Sequence, residues 1–284
     1  MRSATYDQKP TGSATVERAP QNCGRSAPRR DYILSVSAGA CVLVLNADWE
    51  RLTSRKRGIV LAADVDTLDA LKRLTDAAAD TPDVVAIKVG VTLALRHGLA
   101  AVAKAVTANS GLAVVYDHQK AGTDIPAMGR PFARACRDAG VHAVIFFPLA
   151  GPRTLEAFVT GAQEQGLVAL VGLVMTHQEY LASEGGYILD SAPEAICSHA
   201  LGLKVRDFVL PGTKPQLIAK FTNTLLAGTG ARIFMPGVGS QGGTVASAVG
   251  AASPLASFPI IGSAVYAAPN PAAALSSFAA ELTL

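Results

Sequence analysis

Val114-Val115-Tyr116-Asp117-His118-Gln119-Lys120-Ala121-Gly122-Thr123-Asp124-Ile125-Pro126 is an apolar run that breaks abruptly into an Asp, Lys and Asp cluster. The run reads as a strand, and the cluster as polar chemistry placed at its C-terminal end. Two carboxylates beside one ammonium in a confined site hold the lysine protonated, because opposite charges favour the charged form and offset desolvation. A lysine held that way can donate a proton. Alone, D-x-x-K-x-x-x-D also fits a solvated loop with an incidental ion pair, and exposed pairs carry little weight. The chain on either side has to decide between them.

From Gly58 onward, short β-branched runs alternate with Ala- and Leu-rich segments of helical character, the pattern of parallel strands joined by helices. Strands are expected at 59–65, 84–89, 112–116, 143–147, 168–174, 208–210, 232–235 and 260–261. Helices are expected between them, for example at 67–79, 92–108, 131–139, 153–165 and 214–227, with 271–282 closing the chain. Eight strand and helix units in about 225 residues make a single (β/α)8 TIM barrel of the α/β class over 58–284. An open doubly wound sheet is disfavoured, since no G-x-G-x-x-G follows the first strand.

In a barrel of this kind the chemistry sits at the C-terminal ends of the strands, and the polar residues fall there. Asp64 ends the first strand, Lys88 the second and the Asp117 cluster the third. Thr176 and His177 follow the fifth, Gly212 and Thr213 the sixth, and Gly237 to Gly243 the seventh. Taken singly, Asp64 could cap the next helix, Lys88 could snorkel from a strand end, and His177 reads as a structural histidine. Their convergence on one rim favours a site. Pro236-Gly237-Val238-Gly239-Ser240-Gln241-Gly242-Gly243 adds backbone N–H groups that an anion can approach closely, because Cβ atoms are missing. The loops after strands seven and eight commonly hold phosphate.

Composition narrows the function classes. The chain has 284 residues, half of them hydrophobic, and a formal net charge of +3. Six of its basic residues, Arg2, Lys9, Arg18, Arg25, Arg29 and Arg30, lie in the first 30 positions. The remainder is therefore near neutral and offers no nucleic-acid footprint. Cys23, Cys41, Cys136 and Cys197 are scattered without CxxC spacing, which argues against a zinc site or disulfide framework and suits a reducing, cytoplasmic setting. They read as buried small apolar residues.

Residues 1–57 differ from the rest and read as an N-terminal extension. The first 30 look disordered, and the apolar run Tyr32 to Leu45 is too short to span a bilayer as a helix. Arg29-Arg30 ahead of that run outlines a twin-arginine export signal, with Leu45-Asn46-Ala47 as a poor cleavage site. A non-native or mis-assigned upstream extension, or a small flap on the domain, is the preferred reading.

With these residues in place, the chain from Gly58 on resembles the orotidine 5'-phosphate decarboxylases, within a superfamily that also holds 3-keto-gulonate-phosphate decarboxylases and hexulose-phosphate synthases. Leu61-Ala62-Ala63-Asp64 is similar to the family's first strand, whose Asp contacts ribose. Ile87-Lys88-Val89-Gly90 is similar to the second, whose Lys contacts ribose and the catalytic carboxylate. Asp117, Lys120 and Asp124-Ile125-Pro126 resemble the D-x-K-x-x-D-I-P signature, and Met175-Thr176-His177 the turn that touches the pyrimidine. Leu210-Pro211-Gly212-Thr213 resembles the sixth-strand turn, Pro236 to Gly243 the P-G-V-G-x-Q-G-G loop, and Ile261-Gly262-Ser263-Ala264-Val265-Tyr266 the closing I-V-G-R-S-I-Y.

The resemblance implies cofactor-independent decarboxylation of orotidine 5'-phosphate to UMP. Lys120 would be the proton donor in an array with Asp117, Asp124 and Lys88, and no metal would take part. Asp64, Ile125, Thr176, His177, Gly212, Gly239, Gln241, Gly242, Gly262 and Ser263 would bind substrate. It also implies a homodimer in which Asp124 and Ile125 reach the neighbour's site, with no nucleic-acid or membrane partner. Two other readings stay open: a Mg2+-dependent sister acting on a sugar phosphate, and a non-catalytic barrel that binds a phosphorylated ligand.

Two departures bear on this. Asp117 and Lys120 are three residues apart where the family has two, and Lys120 and Asp124 four where it has three. On a regular strand, Asp117 and Lys120 would then point to opposite faces. Either the strand ends or bulges at His118, or His118 takes the first carboxylate's place. The second departure is Ser263 where the family carries a phosphate-binding Arg. Losing a charged fork weakens phosphate binding unless another cation enters, and Arg153 and Arg232 are the candidate substitutes.

Overall fold

Apolar residues that switch between a period of two and a period of 3.6 fold into alternating strands and helices. The computed structural model describes Trp49 and residues 53–118 and 122–282; the expected export signal, cleavage site and disordered start lie outside them, as do Gln119, Lys120 and Ala121. Eight parallel strands close into a barrel in chain order: β1 (Ile59–Ala63), β2 (Val84–Gly90), β3 (Ala113–Asp117), β4 (Ala143–Phe146), β5 (Val168–Gly172), β6 (Asp207–Val209), β7 (Arg232–Val238) and β8 (Ala256–Ile261). Helices cover the outside, as the sequence pattern requires. Among the described residues, no helix is long and apolar enough to cross a membrane.

Strand alternation sorts the side chains into two layers. In β1, Val60 and Ala62 join the cluster inside the barrel, while Ile59, Leu61 and Ala63 pack outward against the helices. In β3, Ala113 and Val115 face in, and Val114 and Tyr116 face out. Each fully buried aliphatic side chain contributes roughly 1.5–3 kcal/mol, so the pattern fixes the register of every strand. One more step along the same alternation carries Asp64, Lys88 and Asp117 to the inner face at the barrel mouth.

The sequence pattern misplaces several boundaries, each for a local reason. The single helix expected at 92–108 is two, α1 (Val91–His97) and α2 (Leu99–Ser110), because Gly98 adopts φ 77°, ψ 135° between them. A proline cannot donate to a strand ladder, so β7 is expected to stop at Met235 and β8 to start at Ile260. Instead β7 continues through Pro236 with a register shift before Val238, and Pro259 lies within β8, opposite Met235.

The N-terminal end of the barrel is closed by aromatic stacking and one buried ion pair. Trp49 stacks on Phe234 at 5.6 Å and Phe234 on Phe258 at 5.0 Å. Arg232, the first residue of β7, donates Nε and Nη2 to the two Asp207 carboxylate oxygens at 2.7 and 2.8 Å, and Nη1 to Thr53 Oγ1 at 2.7 Å. The free thiols of Cys136 and Cys197 are buried, as expected, and burial pushes both up to about 12. They are inert at neutral pH. Cys23 and Cys41 lie outside the described residues.

Candidate active site

The C-terminal ends of the strands surround a cavity of about 230 Å³. Its charged wall comes from three neighbouring strands: Asp64 just past β1, Lys88 in β2 and Asp117 at the end of β3. Lys88 Nζ donates to both Asp64 carboxylate oxygens and to Asp117 Oδ2, all at 3.1 Å. The Lys88 and Asp117 side chains are only 11% and 10% exposed, whereas Asp64 is 46% exposed. Burial alone would lower the Lys88 pKa, but the Asp117 and Asp64 carboxylates outweigh it and hold the ammonium above the ordinary lysine range. Lys88 is therefore a fixed cation at neutral pH.

The structure separates Asp117 from His118. Asp117 faces the cavity beside Lys88, while His118 turns the other way. There its Nδ1 lies 2.6 Å from the Tyr116 hydroxyl, and its ring meets Tyr116 and Phe132 edge-on. Of the two arrangements left open by the spacing, the inner face takes the carboxylate and the outer layer takes the imidazole.

The rest of the described lining is neutral. Thr176, Gln241, Gly262 and Ser263, four of the expected binding residues, line the cavity together with Ser240 and Tyr266. Gly237 takes φ 89°, and a side chain there would press against Thr213, Gln241 and Thr176 at 3.0 to 3.3 Å. Only glycine lets the three loops meet.

Several expected binding residues do not line this cavity. The Gly239 and Gly242 N–H groups close the loop on itself, donating to Gly243 O at 2.8 Å and Gly239 O at 3.0 Å. The N–H groups of Ser240 and Gln241 make no hydrogen bond among the described residues. Gly212 supports the loop from below by donating to Pro236 O at 2.7 Å. His177 is exposed and lies edge-on to Tyr180. Asp124 and Ile125 are exposed outside the cavity, with Asp124 Oδ1 accepting the Ile125 N–H at 2.7 Å. Neither candidate arginine supplies the missing cation: Arg232 is bound to Asp207 at the opposite end of the barrel, and Arg153 is 85% exposed and paired with Glu156.

Phe147 was not among the expected residues, yet its ring forms part of the cavity wall with Ile145, Val174, Val209 and Ile260. It fits because Gly172 on the next strand has no side chain; a Cβ there would overlap the ring. Gly172→Ala is expected to cost about 1–3 kcal/mol by overpacking and to lower the melting temperature by several degrees. An unchanged thermal melt would show that Phe147 has room to move.

Among the described residues, no group of three or more His, Cys, Asp or Glu side chains is placed to hold a metal ion. Residues 57–278 match the family model for the orotidine 5'-phosphate decarboxylase / HUMPS family. The chain belongs to that family. It is 31% identical over 214 residues to the orotidine 5'-phosphate decarboxylase of Pyrococcus abyssi, covering 75% of this chain and 93% of that one. The Methanosarcina barkeri decarboxylase is 29% identical over 228 residues, covering 80% and 96%. Among solved structures, the Pyrococcus horikoshii decarboxylase superposes with a TM-score of 0.67 at 26% identity, over 80% of this chain and 99% of that one. The Methanocaldococcus jannaschii enzyme, solved with the inhibitor BMP, shares the fold with a TM-score of 0.70 at 23% identity and the same coverage. In this member of the decarboxylase / HUMPS family, Asp64, Lys88 and Asp117 thus form one charged wall after β1 to β3, and the glycine loop and Ser263 form a neutral wall after β7 and β8.

Proposed function

We propose that this chain decarboxylates orotidine 5'-phosphate to UMP, the UMP-forming step of pyrimidine biosynthesis, without a cofactor. The carrying observation is the Asp64–Lys88–Asp117 array at the mouth of a barrel from this family. The C6–carboxylate bond breaks, CO2 leaves, and the bonding electron pair stays on C6. A cation near C6 stabilises that pair, and Lys120, three residues past Asp117, is assigned to this task. Its ammonium transfers one proton to C6 and is reprotonated from water. Lys88 holds Asp117 oriented towards the departing carboxylate through their 3.1 Å contact, and Asp64 accepts from ribose hydroxyls. Thr176 and Gln241 face the base, and the Ser240 to Gly243 loop receives the phosphate, whose remote binding energy holds the base in place.

The metal-dependent sister reading fits less well. A Mg2+ held by Asp64 and Asp117 would have to displace an ammonium that already satisfies both carboxylates at 3.1 Å.

The same reading makes the protein a cytoplasmic homodimer, with Asp124 and Ile125 completing the partner's site. Supporting it, Ile125 (63% exposed), Met128 (40%) and Leu149 (43%) leave apolar surface uncovered on two joined loops. Thr154 Oγ1, in the first turn of the helix that follows Leu149, donates to Asp124 O at 2.9 Å and ties the Asp124 segment to it. The buried free thiols suit a reducing compartment.

The test is loss of orotidine 5'-phosphate absorbance with purified protein, with and without chelator, alongside sedimentation mass. Turnover insensitive to chelator, by a particle of twice the chain mass, is expected. No turnover sinks the decarboxylase reading, loss with chelator favours the sister, and a monomeric mass removes the shared site.

A further inference from the structure

The cavity carries its charge on one side only. Among its described lining residues the only cation is Lys88, which is already committed to Asp64 and Asp117. The two arginines considered as substitute cations are engaged elsewhere, Arg153 with Glu156 and Arg232 with Asp207, and Lys214, after β6, is paired with Glu184. On the β7 and β8 side, Ser240 Oγ and Ser263 Oγ approach to 2.5 Å, bridging the glycine loop to the turn after β8. Beside them, the N–H groups of Ser240, Gln241 and Ser263 have no hydrogen-bond partner among the described residues.

Two hydroxyls bonded to each other use one of their two hydrogens. The second is left to donate, and the first bond polarises it. An oxyanion arriving at this point can take that hydrogen at once. It can take the other by opening the pair, with backbone N–H groups adding further donors. We infer that the Ser240–Ser263 hydroxyl pair, rather than a basic side chain, is the receptor for the phosphate of the substrate. This rests on the decarboxylase reading for the identity of the ligand. The receptor is assembled from neutral donors, and each donated bond to a charged acceptor is worth about tenfold to a hundredfold in affinity.

The experiment titrates UMP, uridine and inorganic phosphate into wild type, Ser263→Thr and the Ser240→Ala/Ser263→Ala double variant, with thermal melts to confirm folding. The double variant is expected to bind UMP at least about tenfold more weakly than wild type while binding uridine equally. Ser263→Thr, which keeps the hydroxyl, is expected to stay within about threefold of wild type. UMP bound equally by wild type and double variant overturns the receptor and leaves the decarboxylase reading intact. If wild type binds neither UMP nor uridine, the nucleotide reading is lost and phosphate alone decides. Weaker phosphate binding by the double variant then keeps the receptor, and unchanged or absent phosphate binding overturns it.

Discussion

Lys120→Ala is expected to slow orotidine 5'-phosphate decarboxylation by roughly 10⁴-fold or more, because the proposed mechanism assigns Lys120 both the proton transfer and the stabilisation of the developing carbanion. The loss should appear in kcat. UMP carries no charge at C6, so its affinity should change by no more than about tenfold. Single-turnover kinetics together with UMP titration separate the two effects. A variant turning over within tenfold of wild type would remove Lys120 from the chemistry. The geometry of β3 sharpens this expectation. Asp117 lies beside Lys88, whereas His118 is turned to Tyr116 and Phe132, so the imidazole points away from the cavity.

Lys88→Met is the second large expectation, and it acts on stability as well as rate. It leaves Asp117, 10% exposed, without the ammonium that both carboxylates share. Breaking a buried pair from one side costs about 3–5 kcal/mol. The rate should fall with it, since Asp117 loses the donor that holds it in place. The pH dependence has a definite sign. Because Asp117 and Asp64 raise the Lys88 pKa above its unfolded value, its contribution is fully present below the unfolded lysine pKa of about 10.4. That contribution is lost as the pH climbs through the raised folded value. Denaturant melts of wild type and Lys88→Met should therefore differ by a constant amount across neutral pH and converge in strong alkali. Equal stabilities at pH 7 would refute the array.

The barrel was legible because alternation is local. Val60, Ala62 and Asp64 lie on one face by counting twos, and so do Ala113, Val115 and Asp117. Alternation alone therefore assigns Asp64, Lys88 and Asp117 to one rim. Prolines and a glycine misled the boundaries: Pro236 and Pro259 read as strand ends, yet the closed sheet accommodates them through a register shift and pairing, and Gly98 divides a helix that composition alone would continue. The rest of the site depends on relations between distant positions. Phe147 enters the cavity only because Gly172, 25 positions on and one strand over, makes room. Gly239 and Gly242 looked like anion donors, but which N–H groups remain available is set by the loop's own bonds to Gly243 and Gly239. Arg232 lies in the strand that carries the glycine loop, but at its other end, a distinction that becomes visible only with the strand's full length.

The stack of Trp49 on Phe234 and Phe258 has a spectroscopic consequence. Trp49 is the sole tryptophan of the chain and is fully buried in the inner barrel cluster. Its emission should be blue-shifted in the native state and move to the red on unfolding. It then reports closure of the N-terminal end of the barrel without engineered labels. Nucleotide added at the opposite mouth should leave that signal unchanged, so one intrinsic fluorophore follows folding independently of ligand occupancy.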